Sequence, residues 1–287
     1  MLNTVKYLAL IVLVNIVLVG CGGKSEPKVE KPVPAPIPTP EPPKGIVDIE
    51  VVNVPAGEFT MGCDSKDPAC QSDNSVRKVY LDAYKIDKYK VTYRRYQECL
   101  DAGVCTALFE GSGCNAGMEW NSDHPVNCVN FKQAKTFCEY DKKQLPTEAQ
   151  WAKAARGTDA RRYPWGNELP SCDLAVINRK INGNTMGPGC GSGTTQPVGS
   201  KPKGASPYGA MDMVGNLFEW TADWYSESYY KTAPQNNPKG PLSGEHKVLR
   251  GNSWLMRDDD GISSVIRTGY SPLGQGYVVG FRCASNV

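Results

Sequence analysis

Apolar residues run from Tyr7 to Gly20 with only Asn15 interrupting them, and a single early positive charge, Lys6, precedes the run. This is the layout of an export signal. A helix that crosses the hydrocarbon needs about 20 apolar residues, and this stretch is shorter and weakly flanked. Leu18-Val19-Gly20-Cys21 has the form of a lipobox, which predicts cleavage before Cys21 and lipid on its sulfur. An ordinary signal peptide or an uncleaved anchor is the alternative. One acyl chain holds a protein at a membrane only marginally, so stable attachment rests on several chains.

Residues 22–45 break the apolar pattern with eight prolines among Lys, Glu and Gly, and no aromatic residue. Such a segment cannot bury enough apolar surface to offset its ordering entropy and reads as an extended tether. From residue 46 to 287 the chain is long enough for one substantial core. Gly57 to Gly62 is a short strand between glycines, and Val79 to Ile86 alternates like a strand with a bulge midway. Both suit an antiparallel sheet. Thr92 to Asp101 is a helix candidate. Asn130 with Gln133 has capping-box spacing ahead of Ala134, Phe137 and Cys138, and that helix is expected to end near Lys143. Thr147 with Gln150 repeats the spacing ahead of Trp151, Ala154 and Ala155, and Gly157 is the stop. Beyond it, short apolar segments at 247–254 and 278–284 interrupt long stretches of Gly, Asn, Pro and Ser. The predicted class is α+β, loop-rich and low in regular structure.

The net charge of +2 is too small to suggest a nucleic-acid partner. Eleven cysteines are present, and assigning Cys21 to lipid leaves ten, an even number in a chain addressed to an oxidising compartment. Five disulfides are expected. A zinc site would need Cys-x-x-Cys pairs or nearby histidines, whereas His124 and His246 stand alone. Cys63 with Cys70, Cys99 with Cys105, Cys114 with Cys128, and Cys172 with Cys190 would each close a short loop, though spacing alone leaves the connectivity open.

Seven segments then form an ordered set: Val54-Pro-Ala-Gly-Glu-Phe-Thr-Met-Gly62, His124-Pro-Val-Asn-Cys-Val-Asn-Phe131, Gln144-Leu-Pro-Thr-Glu-Ala-Gln-Trp151, Tyr163-Pro-Trp-Gly-Asn167, Ser206 to Trp220, Leu249-Arg-Gly-Asn-Ser-Trp254 and Gly280-Phe-Arg-Cys-Ala284. In order and spacing they resemble the formylglycine-generating enzyme domain, also called the sulfatase-modifying factor domain, over everything from residue 51 onward. The resemblance implies a disulfide-stabilised fold related to C-type lectins. It also implies a bond between Cys138 and Cys283, which completes five pairs. By resemblance to sorted lipoproteins, Gly22 after Cys21 points to the outer membrane if the organism has one.

The family's best-known activity oxidises a sulfatase cysteine to formylglycine with oxygen and a copper ion held by two cysteines. Here those positions are Met256 and Gly261. Reduced copper is soft and prefers thiolate, so a thioether and a bare glycine do not rebuild the site, and copper is not expected. Ser253 and Trp254 complete the corresponding groove. A second enzymatic branch, which uses non-haem iron, needs a histidine cluster that two isolated histidines do not supply. No segment offers a nucleophile with an adjacent base, and His124 reads as a satisfied turn residue. The resemblance further implies calcium at Asp212 and Glu219 through side chains and at Gly215 and Leu217 through main-chain oxygens, a mixture of hard donors that suits the ion. A second calcium site is not expected, because Val176 replaces the usual asparagine.

Asp258, Asp259 and Asp260 lie where the catalytic cysteines would be, and such a charge run suits a solvated loop. The sharper expectation is a recognition surface in the old groove, lined by Trp254, Arg257, Asp258 to Asp260, Arg267 and Tyr270, because aromatic residues and arginine dominate binding hot spots. The leading expectation is a lipid-anchored extracytoplasmic domain of the cell envelope that binds a protein, peptide or glycan. An oxidoreductase of the same family acting through non-standard residues is the alternative, and a structural scaffold in an envelope complex is a third reading.

Overall fold

The computed structural model describes residues 50–63, 70, 74–118, 121–181, 184–257 and 261–287. Cys21, the proline-rich segment and Asp258 to Asp260 therefore lie outside the described residues. Among the described residues no helix is long and apolar enough to cross a membrane.

In chain order the elements are β1 (Val51–Val54), β2 (Gly57–Met61), β3 (Arg77–Leu81), β4 (Tyr84–Asp87), α1 (Tyr93–Asp101), α2 (Phe131–Tyr140), α3 (Glu148–Arg156), β5 (Arg179–Ile181), β6 (Asn184–Gly187), β7 (Phe218–Trp224), α4 (Tyr229–Thr232), β8 (Lys247–Arg250), β9 (Arg267–Tyr270), β10 (Val279–Gly280) and β11 (Ala284–Asn286). They form a three-stranded sheet in the order β1-β4-β11, a four-stranded sheet in the order β10-β7-β8-β9, and the two-stranded ribbons β2-β3 and β5-β6. Among the strand pairs of the described residues only β10 against β7 is parallel. The class is α+β with much ordered coil, as the residue pattern predicts.

Two expectations change. The single bulged strand over 79–86 is two strands in different sheets. β3 pairs with β2, while β4 lies between β1 and β11. The chain leaves the first ladder at Asp82, whose N–H is taken by Asn237 Oδ1 at 3.0 Å. The second helix stops at Tyr140 rather than near Lys143, because Lys142 adopts φ +58° and Lys143 N–H turns back to the Cys138 carbonyl at 2.7 Å. Both capping boxes are formed, at Asn130/Gln133 and at Thr147/Gln150. Gly157 ends α3 at φ +66°, a conformation that disfavours side chains.

All five cysteine pairs are bonded: Cys63–Cys70, Cys99–Cys105, Cys114–Cys128, Cys138–Cys283 and Cys172–Cys190. Four close short loops, and Cys138–Cys283 ties α2 to the C-terminal segment across a separation of 145 residues. In the chain-entropy treatment a loop of that length contributes about 5 kcal/mol.

The core lies against α3, every residue of which is buried. Trp151, Ala152, Ala154 and Ala155 pack with Phe59, Val79 and Ile86 in one cluster. Val91, Tyr96, Phe137, Trp220, Leu249 and Phe281 form another beneath β7 and β8. The buried cations of α3 organise coil instead of facing water. Lys153 Nζ donates to the carbonyls of Pro55 and Gly57, and Arg156 donates to those of Gly62, Ala160 and Arg161. A buried carbonyl without a donor costs about 1–3 kcal/mol, so these long side chains allow coil to pass through the interior.

Candidate functional site

The segment after β8 carries the positions that the sequence assigns to the groove. Gly251 and Asn252 both have positive φ, +95° and +61°, which turns the chain sharply out of the strand. Trp254 then spans two loops. Its N–H donates to Asn216 O, and its own carbonyl accepts from Gly189 N, each at 2.9 Å. Its ring packs on Val176 and Leu217 and lies 6.1 Å from the ring of Tyr277, which is 43% exposed. Met256 packs against Ala175, Ile177, Val214 and Ile262, and its carbonyl accepts from Asn178 N. Ser253 is buried and Arg257 is half-buried. Gly261 follows with φ +75°.

The segment is thus built on apolar packing and main-chain hydrogen bonds, and its chemistry is limited by sulfur. All ten cysteines between Cys63 and Cys283 are consumed in disulfides. Copper held by two thiolates does not fit a site that offers a packed thioether at 256 and no side chain at 261. Polar atoms without partners do remain here. Trp254 Nε1, Asn252 Nδ2 and Asn178 Oδ1 are buried and make no hydrogen bond. Unpaired buried polar groups are uncommon and each carries a desolvation cost.

One residue expected on this face belongs elsewhere. Arg267 does not line a surface. It is fully buried, with Nε 2.8 Å from Glu148 Oε1, Nη2 3.0 Å from Oε2, and Nη1 on the Ser226 carbonyl. Arg250 joins the same carboxylate at 2.7 Å, and Tyr230 Oη donates to it at 3.0 Å. Burial pushes the Glu148 carboxyl upward, but Arg267 and Arg250 overcome this and hold it below its ordinary range. Tyr270, also on β9, is half-buried with its ring 5.6 Å from that of Trp220.

The calcium expectation meets a filled site. Gly215, at φ +84°, brings the loop so close to Val176 that an added Cβ would lie 2.6 Å from its carbonyl oxygen. Glu219 then turns inward, where both of its oxygens are occupied. Lys90 Nζ is 2.5 Å from Oε1, Arg282 Nε is 2.7 Å from Oε2, and Arg282 Nη2 is 3.0 Å from Oε1. Asp212 Oδ2 accepts the Gly199 N–H at 2.7 Å. Lys90, Arg282 and Glu219 have no solvent exposure and Asp212 has 6%. Two cations balance two carboxylates, so a divalent ion added here would bring uncompensated charge into the interior. The residues at Asp212, Gly215, Leu217 and Glu219 do not fit calcium. Among the described residues no group of three or more His, Cys, Asp or Glu could hold a metal.

Lys90 is the residue that sequence reasoning missed. Its only signal was a lysine set between Tyr89 and Val91 in a stretch that also carries Asp87 and Lys88, which a solvated side chain would produce equally well. His124 is a satisfied turn residue, as expected. Its Nδ1 is 2.8 Å from Thr195 Oγ1, and burial lowers its pKa to about 4.

Residues 40–287 match the family described as the Sulfatase-modifying factor enzyme 1-like domain. The chain is 31% identical to the formylglycine-generating enzyme of Streptomyces coelicolor, with 82% of this chain and 88% of that protein covered. It is 28% identical to the mouse formylglycine-generating enzyme, with 85% and 77% covered. Among solved structures, PvdO from Pseudomonas aeruginosa matches with a TM-score of 0.69 at 27% identity, covering 83% of this chain and 94% of that one.

Proposed function

Because this chain belongs to the formylglycine-generating enzyme family, we propose that it is a lipid-anchored extracytoplasmic member that binds a protein, peptide or glycan and does not oxidise cysteine with copper. The observation that carries this reading is the sulfur inventory. Every cysteine of the domain is disulfide-bonded, and Met256 and Gly261 occupy the positions of the copper thiolates. Binding is assigned to the 253–257 segment, where Trp254 Nε1 is buried without an acceptor beside the exposed face of Tyr277. A peptide or sugar oxygen would supply that acceptor. The cell envelope, and the outer membrane where one exists, is the proposed location, with attachment through Cys21.

The test is incubation of purified protein with a cysteine-containing sulfatase peptide, copper and oxygen, read by mass spectrometry. The peptide is expected to return unchanged. Conversion to formylglycine would overturn the reading and favour an oxidoreductase working through non-standard residues. Attachment is tested separately by radiolabelled palmitate, which is expected to label the protein and to be lost in Cys21→Ala.

A further inference from the structure

Away from the 253–257 segment, a cavity of about 660 Å³ opens between α2, the start of α3 and the β7–β8 pair. Phe131, Leu145 and Ala222 contribute apolar wall, Thr147 lies at the base of α3, and Lys247 is also part of the wall. The rim is solvent-facing on its α2 side, where Lys135 and Glu139 pair one turn apart along the helix at 2.9 Å with 57% of each side chain exposed. Small-molecule sites characteristically span about 300–1,000 Å³ with mostly apolar walls and a few placed polar groups.

Lys247 gives this cavity its chemistry. Only 6% of it is exposed, and its ammonium lies 3.8 Å from the ring centroid of Trp224 and 4.4 Å from that of Phe131. One N–H goes to the Ala222 carbonyl at 2.7 Å. An ammonium has three such donors, and among the described residues neither an ion pair nor a second hydrogen bond takes the others. Buried charges are ordinarily paired. Burial lowers the Lys247 amine to about 8, the charge of Asp223 opposing this and that of Lys135 adding to it. A buried lysine with no ion pair at contact distance among the described residues, facing a ligand-sized cavity, is the arrangement of a binding site and not only of a core contact.

We propose that this cavity binds a compact organic carboxylate, whose anionic group pairs with Lys247 and whose apolar body lies on Phe131 and Leu145. A carboxylate fits better than a phosphate, because one ammonium rather than a nest of main-chain N–H groups supplies the donors, and Phe131, Leu145 and Ala222 give an apolar stretch of wall beside it in a lining that also holds Asp82 and Glu139. The site is separate from the segment invoked for the proposed function, so either assignment can fail alone.

The test uses the full chain in detergent, with phenylacetate as probe and phenylacetamide as its neutral match, both titrated by calorimetry. A hydrogen bond to a charged group contributes about 1.5–3 kcal/mol, so phenylacetate should bind roughly tenfold or more tightly than the amide. Lys247→Met should abolish that preference and Lys247→Arg should retain it. Equal affinities for acid and amide, absence of saturable phenylacetate binding, or an unchanged preference in Lys247→Met would each overturn the proposal. The acid-against-amide comparison on the unmodified chain stands even if Lys247→Met does not fold.

Discussion

Lys90 and Lys247 are both buried lysines, yet they do opposite things. Lys90 lies in a neutral cluster, its ammonium on Glu219 while Arg282 completes that carboxylate and donates to the carbonyls of Asp87, Lys88 and Met211. Lys247 has two aromatic faces and one carbonyl, and opens on a cavity. Burial lowers the pKa of both amines, with the Glu219 charge opposing it at Lys90 and the Asp223 charge opposing it at Lys247. The lesson is that burial alone does not mark a functional lysine. What distinguishes the two is whether the charge is already answered inside the fold.

The largest effect expected of this contrast is in Lys90→Met, which leaves the Glu219–Asp212 pair with one cation instead of two. Breaking a buried ion pair from one side costs about 3–5 kcal/mol, measurable by urea unfolding with disulfides intact. A loss under about 1 kcal/mol would mean that Arg282 alone neutralises Glu219.

Next in size is a pH effect involving Asp223, the acid whose charge Lys247 feels. Burial and then the Glu148 charge raise its pKa to about 7, from an ordinary 3.8. The folded state therefore holds a proton that the unfolded chain has released, and this contribution to stability declines as pH rises from about 4 to 7. His124 acts in the opposite sense. Its folded pKa of about 4 lies below the ordinary 6.5, so its contribution grows as pH rises over that interval. The two nearly offset each other in the unmodified protein. Asp223→Asn removes the declining part, and its melting temperature should climb more steeply between pH 4 and 6.5; parallel profiles for the two proteins would refute the assignment.

Lys247→Met should cost only about 1–2 kcal/mol, the range of a partly desolvated cation–π contact, because the apolar stem is kept. A loss as large as that of Lys90→Met would show that Lys247 is a closed structural ion after all. The smallest effect is a null one: neither excess calcium nor EGTA should shift the melting temperature, since a ligand without a site stabilises nothing. A fall in EGTA would show that the Glu219 cluster opens to admit metal.

Much of the fold is legible along the chain because the signals are local. Thr147 and Gln150 sit three residues apart, so their reciprocal hydrogen bonds follow from spacing alone. Four disulfides close loops of 6 to 18 residues, whereas Cys138–Cys283 came only through the likeness of whole segments. The split of residues 79–86 was not legible, since strand periodicity is the same whichever sheet accepts the strand.

The site divides along the same line. Sequence by itself determined the family and the absence of thiols at 256 and 261, because each depends on which residue stands at a position. Only the tertiary structure decided which charges are spent. Arg267 could pass for a surface hot spot and Glu219 for a metal ligand until Glu148 and Lys90 were found against them. Those partners lie 119 and 129 residues away. A charged side chain reads the same in sequence whether water or a distant counter-ion answers it, and only the packed fold brings the counter-ion within reach.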